Sequence, residues 1–233
     1  MLNWPRLIQI SWQLYSLKGK LLNFNNYYIK PDNYIIPLKS MLIHGITNKY
    51  AQKKGKNIIY VLKKFFLNLK KSYFIIGHNI DFDCNIIKGE FLRLNYDIDK
   101  IFLKKKKIDT QKILFNNNKK FNIKKKWISL KETYKILYKE KINKKLLHNS
   151  FYDLYINVLC FIKLIYYNII KFNFKINLKN FLNNVNIIKN NFFLKKKNDI
   201  ILNNNVNILK KNDIILNNND IILKKKKKKK YIF

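Results

Sequence analysis

The chain has 233 residues, a formal net charge of +36 and a pI near 10.1. That length gives one folded domain with residues left over for a tail. The two cysteines, Cys84 and Cys160, lie far apart in apolar stretches; this excludes a disulfide framework or a zinc pattern and fits core thiols in a reducing, cytoplasmic compartment. Such a charge favours a polyanionic partner and salt-sensitive, largely nonspecific adhesion to nucleic acid. Nearly all of it is lysine, with Arg6 and Arg93 the only arginines, in a chain dominated by Lys, Asn, Ile, Phe and Tyr. Those residues have A/T-rich codons, so base composition accounts for part of the charge.

In chain order, Leu7 to Tyr15 alternates Ile8, Ile10, Trp12 and Leu14 with Gln9, Ser11 and Gln13, a strand pattern. A turn containing Gly19 leads to a second strand over Leu21 to Ile29, so the two form a hairpin. Thr47 is placed to cap a short helix ending near Gly55. Asn57 to Leu69 carries Ile58, Val61, Leu62, Phe65 and Leu69 on one helical stripe. Tyr73 to Gly77 is an apolar strand, followed by a helix with Cys84, Ile87, Phe91 and Leu94 on one face. Ile108-Asp109-Thr110 ends a further short strand, and the segment Asn116 to Lys126 reads as a mobile loop. Ser129 and Glu132 form a capping box. The apolar run from Leu154 to Ile170 is broken by Asn157 and Lys163, so a buried helix is expected and no membrane span. No signal peptide is expected before the first strand. From Phe172 the composition shifts, and Asn recurs every seven residues from Asn177 to Asn219. The expected layout is therefore a domain over 1–172 and a low-complexity Asn/Ile/Lys-rich tail over 173–233.

Two segments carry chemistry. In Gly77-His78-Asn79-Ile80-Asp81-Phe82-Asp83, Asp83 falls in the first turn of a helix directly after a buried strand. On this segment alone the plainer reading is an acid favoured by the helix dipole. The second segment, His148-Asn149-Ser150-Phe151-Tyr152-Asp153, sets an imidazole just before a helix and a carboxylate early on it. Open α/β sheets gather ligands at the C-terminal ends of their strands, where Asp83 would stand.

Together with His44-Gly45-Ile46-Thr47 and Ile108-Asp109-Thr110, these segments resemble the DnaQ-like (DEDDh) exonucleases, the family of the proofreading subunit of bacterial DNA polymerase III, over about residues 3 to 170. The family's His-Asn-x-x-Phe-Asp and His-x-x-x-x-Asp motifs stand here as His78 to Asp83 and His148 to Asp153. The resemblance implies a ribonuclease H-like α/β fold with a mixed sheet flanked by helices. It implies two Mg²⁺ or Mn²⁺ ions, with Asp83 and Asp153 as metal ligands and His148 as general base. His44, Gly45, Ile46, Thr47, Asn79 and Phe82 would contact substrate, while Asp109 would be structural. The implied partners are the 3′ end of single-stranded DNA and a replicative DNA polymerase. The family's first motif, Asp-x-Glu on a central first strand, would lie upstream of Asn3. The expectation is thus a sheet lacking that strand, interior backbone groups lacking partners, and impaired hydrolysis. The alternatives are a non-catalytic remnant of a replicative polymerase gene and a basic nucleic-acid-binding module.

Overall fold

A computed structural model describes residues 4–125, 127–142, 148–173, 176–186, 190 and 230–232. Strands β1 (Gln9–Ser16) and β2 (Leu21–Tyr28) form the expected antiparallel hairpin. Its turn needs a glycine twice over. Gly19 has φ +76°, and a Cβ there would stand 2.6 Å from the Phe181 ring and 2.7 Å from the Asn177 carbonyl oxygen. Helices α1 (Leu38–His44), α2 (Asn48–Lys54) and α3 (Ile58–Lys71) lead to β3 (Phe74–Gly77). After β3 come α4 (Ile80–Leu92), α5 (Asp99–Leu103), β4 (Lys106–Asp109), α6 (Thr110–Asn116), α7 (Asn118–Phe121), α8 (Leu130–Tyr138) and α9 (Ser150–Tyr166). A short β5 (Lys230–Ile232) completes the described elements.

The sheet runs β2-β1-β5-β3-β4, with β1 antiparallel to β2 and β5, and β3 parallel to β4 and β5. Helices cover both faces. On one side Ile10, Trp12, Leu14 and Ile75 pack with Val61, Leu62, Phe65 and Leu69 of α3 and Cys84, Ile87 and Phe91 of α4. On the other, Tyr15, Phe74 and Ile76 pack with Leu114, Leu137 and the apolar length of α9. Burial on both faces explains why β3 reads as a continuous apolar run rather than an alternating one. Residues 178–186 are helical as well, and their Phe181 and Val185 lie fully buried in the α9 cluster, Phe181 4.5 Å from the Tyr15 ring.

The fold is the ribonuclease H-like α/β arrangement expected, with differences in detail. The central position foreseen as vacant is partly taken by β5, which pairs only with Leu14 to Ser16 of β1 and with Phe74 and Ile75 of β3. Part of the foreseen loop 116–126 is helical as α7, and Phe121 lies 6.1 Å from the Tyr167 ring. Leu94 falls beyond the end of α4, part exposed, so the core stripe of that helix stops at Phe91. The heptad copies at 198–202 and 212–216 lie outside the described residues. No helix among the described residues is long and apolar enough to cross a membrane.

Candidate functional site

The site forms where α4 and α9 begin. Asn79 takes a left-handed conformation, φ 59° and ψ 47°, which asparagine tolerates well. This aims the backbone N–H groups of Asn79 and Ile80 at the Asp109 carboxylate, which accepts them at 3.0 and 3.3 Å. The same carboxylate accepts from Gln111 and Lys112 N–H at 2.9 and 3.3 Å. One buried acid therefore caps α6 and ties it to α4, the structural part implied for Asp109. His78 is equally committed. Its Nε2 faces the Ile128 carbonyl at 2.8 Å and its Nδ1 faces Thr110 Oγ1 at 3.1 Å, while burial lowers its pKa and keeps the ring neutral.

The start of α9 is set by β1. Ser150 N–H donates to Gln9 Oε1 at 3.2 Å, and the Ser150 and Ser11 hydroxyls meet at 2.7 Å. The polar face of the first strand thus receives the helix end, while the Asn149 side chain caps it by accepting from Phe151 and Tyr152 N–H. His148 stands just before this cap with φ +65° and is exposed. Its backbone N–H donates to the Asp153 carboxylate. Asn157, one turn further along α9, is held by the Thr110 hydroxyl at 3.0 Å.

A cavity of about 380 Å³ opens between these helix starts and brings His44, Ile46, Asp83, His148 and Asp153 to one wall system. Gly45, Thr47, Asn79 and Phe82 do not line it. Gly45 ends α1 at φ +72°, the Thr47 hydroxyl caps α2 through Tyr50 N–H at 3.1 Å, and Asn79 opens α4. Phe82 is exposed at the rim with Trp4 edge-on at 5.6 Å. Sequence reasoning missed Gln9, Ser11, Ser150 and Asn157, the polar residues that set the height of α9. The polar side of the alternating strand was the available signal.

Asp83 opens into the cavity yet is crowded by protein, so desolvation, then the nearby Asp153 charge, then Asp109 push its pKa up to about 7. Asp153 is pushed up to about 6 by burial, opposed by the charge and backbone N–H of His148. His44 is lowered by burial and by His148; its Nδ1 accepts from Ile46 N–H at 3.0 Å. Among the described residues neither Asp83 nor Asp153 forms a salt bridge with lysine or arginine. The acid two residues earlier, Asp81, has lysine partners instead. It is half exposed and bridged by Lys107 and Lys112 at 2.7 Å each, which lowers its pKa to about 2.

Two carboxylates lining one cavity, neither bridged by lysine or arginine among the described residues, suit one hard divalent ion, which commonly takes one or two carboxylates with water and substrate phosphate. Among the described residues no group of three or more His, Cys, Asp or Glu converges to hold a metal. The pair fits one ion and not two.

The electrostatics set a stability trend. A carboxyl that ionises near pH 4 in the unfolded chain stays protonated here until about 6 or 7, so the folded state binds more protons across that window. In chelator, the contribution of these two groups to stability falls as pH rises from about 4 to about 7 and levels off above it. Thermal melts over that range should show the decline, and Asp83→Asn should flatten it. A profile identical in the variant would remove the repulsion argument.

The RNase_T family model, described as an exonuclease, matches residues 16–161. No curated protein matches the sequence significantly. Among solved structures, E. coli Exonuclease I in complex with a dT13 oligonucleotide superposes with a TM-score of 0.55 at 20% identity, over 71% of this chain and 38% of that one. The complex with a 5cy-dA13 oligonucleotide gives 0.54 at 18% identity, over 71% and 37%. The zinc-bound form of the Exonuclease I–ssDNA complex gives 0.51 at 19%, over 65% and 34%. The chain therefore spans little more than a third of the length of these structures, and likeness at such identity speaks for the fold. The family match spans more than half of the sequence and includes both helix starts that build the cavity. The chain belongs to the exonuclease family, within the DnaQ-like (DEDDh) superfamily.

Proposed function

We propose that this chain acts as a 3′–5′ exonuclease on single-stranded DNA, releasing nucleoside monophosphates by phosphodiester hydrolysis. The observation that carries the reading is the convergence of Asp83, Asp153 and His148 on one cavity at the C-terminal end of β3. In this reading Asp83 and Asp153 hold Mg²⁺ or Mn²⁺, which supplies positive charge for the scissile phosphate and acidifies water. A two-ion site as the resemblance implies needs carboxylates beyond these two. His148, exposed at the mouth, takes the proton from the attacking water, a task suited to imidazole near neutral pH. His44, kept neutral by burial, and Ile46 wall the far side, and Gly45 and Thr47 fix the short link between α1 and α2 that positions them. Phe82 with Trp4 offers an aromatic edge at the rim on which a base can stack, and Asn79 holds the helix start beneath it. The strongly basic chain draws the DNA in through counterion release. A role in proofreading beside a replicative polymerase, in the cytoplasm, extends the same reading.

A second reading has its own support. With two carboxylates and no larger acidic cluster among the described residues, the site also fits a remnant that binds DNA without cutting it. Single-stranded DNA labelled at either end separates the two. The first reading expects Mn²⁺-dependent release of mononucleotides from the 3′ end only. DNA binding with no release at any Mn²⁺ concentration overturns it and leaves the remnant.

A further inference from the structure

Helix α9 carries one amide deep in its apolar length. Asn157 is 6% exposed, flanked by the fully buried Ile156 and Val158, and it lines the same cavity as Asp83 and Asp153. It stands four residues after Asp153, so the two side chains share a helical face one turn apart. One end of the amide meets the Thr110 hydroxyl at 3.0 Å, while the other takes no hydrogen bond among the described residues and keeps access to the cavity. A buried amide is costly unless something polar meets each end.

Which end faces the cavity follows from a count of hydrogens at Thr110. Three groups surround its single hydroxyl hydrogen: Asn157 at 3.0 Å, His78 Nδ1 at 3.1 Å and the Gly77 carbonyl, farthest at 3.2 Å. His78 Nε2 lies 2.8 Å from the Ile128 carbonyl, which only accepts, so this nitrogen carries a hydrogen. Burial keeps the ring neutral, which leaves a bare lone pair on Nδ1, and the Thr110 hydroxyl donates to it. Thr110 faces the Asn157 oxygen in the structure, where two lone pairs would then meet. A half-turn of the amide, which leaves the shape of the side chain unchanged, puts the NH₂ there as donor to Thr110 Oγ1. The amide oxygen is then the end that opens into the cavity.

We propose that Asn157 is the third oxygen donor of the divalent-ion site, its Oδ1 joining the carboxylates of Asp83 and Asp153. Hard divalent ions take amide and carboxylate oxygens alike. A neutral oxygen also adds a ligand without a third negative charge beside Asp83, whose ionisation burial and the Asp153 charge already oppose. Thr110 and His78 act as positioning residues, holding the amide with its oxygen outward. The inference rests on the reading of Asp83 and Asp153 as metal ligands.

The test is Mn²⁺ binding to the full chain at pH 8 without DNA, followed by loss of the free-ion signal in electron paramagnetic resonance. The parent is compared with Asp83→Asn, Asn157→Leu and Asn157→Asp, each checked for folding by its melting temperature in chelator. Asn157→Leu should weaken Mn²⁺ binding about tenfold. Asn157→Asp should tighten it about tenfold, because a carboxylate puts charge where the amide oxygen stood. Both substitutions remove the NH₂ donor to Thr110, so a residue that merely holds Thr110 would give the same sign in both. Weakening in both variants, or affinity unchanged in both, overturns the proposal. Where Asn157→Leu fails to fold, Asn157→Asp decides alone: tighter binding supports the proposal, and equal or weaker binding overturns it. Weaker binding in Asp83→Asn with no change at Asn157 overturns this inference and leaves the metal reading standing. No saturable Mn²⁺ binding by the parent, or equal affinity in Asp83→Asn, overturns both.

Discussion

Glu90→Ala is expected to destabilise the protein by about 3 kcal/mol, the lower end of the range for breaking a buried ion pair. Glu90 is 2% exposed, in the last turn of α4. Its Oε1 accepts from Arg6 Nε at 3.0 Å and from Leu7 N–H at 2.8 Å, and lies 3.1 Å from Arg93 Nη1. Both arginines of the chain therefore converge on one carboxylate. Removing it leaves the Arg6 guanidinium and a buried amide without this acceptor and Arg93 without this counter-charge, and it frees the entry to β1, on which the start of α9 is seated. The exposure of the Arg6 side chain, 34%, moderates the loss, since water can solvate that charge. Glu90→Gln keeps an acceptor for Leu7 N–H and should cost roughly half as much. For a domain of this size the alanine variant should melt about 10 °C lower. Equal melting temperatures for the alanine variant and the parent would show that Arg6, Leu7 and Arg93 find other partners.

Glu90 shows where the sequence falls short. A lone glutamate beside Phe91 carries no mark that distinguishes a buried anchor from a solvated residue, because its partners Arg6 and Leu7 are more than eighty positions away. Local signals fared better. The alternation of β1, the stripe of α3 and the Ser129/Glu132 capping box are set by neighbours within a few residues, and each appears in the structure. Helix α1 gave no stripe to read because none of its residues is buried: Leu38 and Leu42 are exposed. Strand β5, three residues that begin on the last lysine of a run, has no periodicity to read and acquires its place from the facing edges of β1 and β3.

At the site, the position of Asp83 and Asp153 at helix starts was legible from strand-then-helix order. Their mutual electrostatics were not, because the two lie seventy residues apart and meet only in the fold. Asn157 was visible as an interruption in an apolar helix, while its bond to Thr110 was not.

Asp83→Asn is expected to lower nucleotide release by about 100-fold or more, the scale seen when one preorganised charge-stabilising group is removed from an active site. The substitution keeps the shape of the side chain and removes the charge that, with Asp153, attracts a divalent ion. It also removes a carboxylate whose ionisation burial, and then the Asp153 charge, oppose, so the variant should fold at least as well as the parent near pH 8. Loss of activity would then not be a loss of structure. DNA affinity, carried by lysines across the surface, should change little and should keep its salt dependence.

The measurement that addresses the central claim most directly is release of the 3′-terminal nucleotide from single-stranded DNA in Mn²⁺, with the parent chain and Asp83→Asn in parallel at pH 8. The site described here predicts mononucleotide from the parent and a loss of about 100-fold or more in the variant at unchanged DNA binding. Equal release from both proteins would contradict it, by showing that the acid pair at the cavity is not where the phosphodiester is cut.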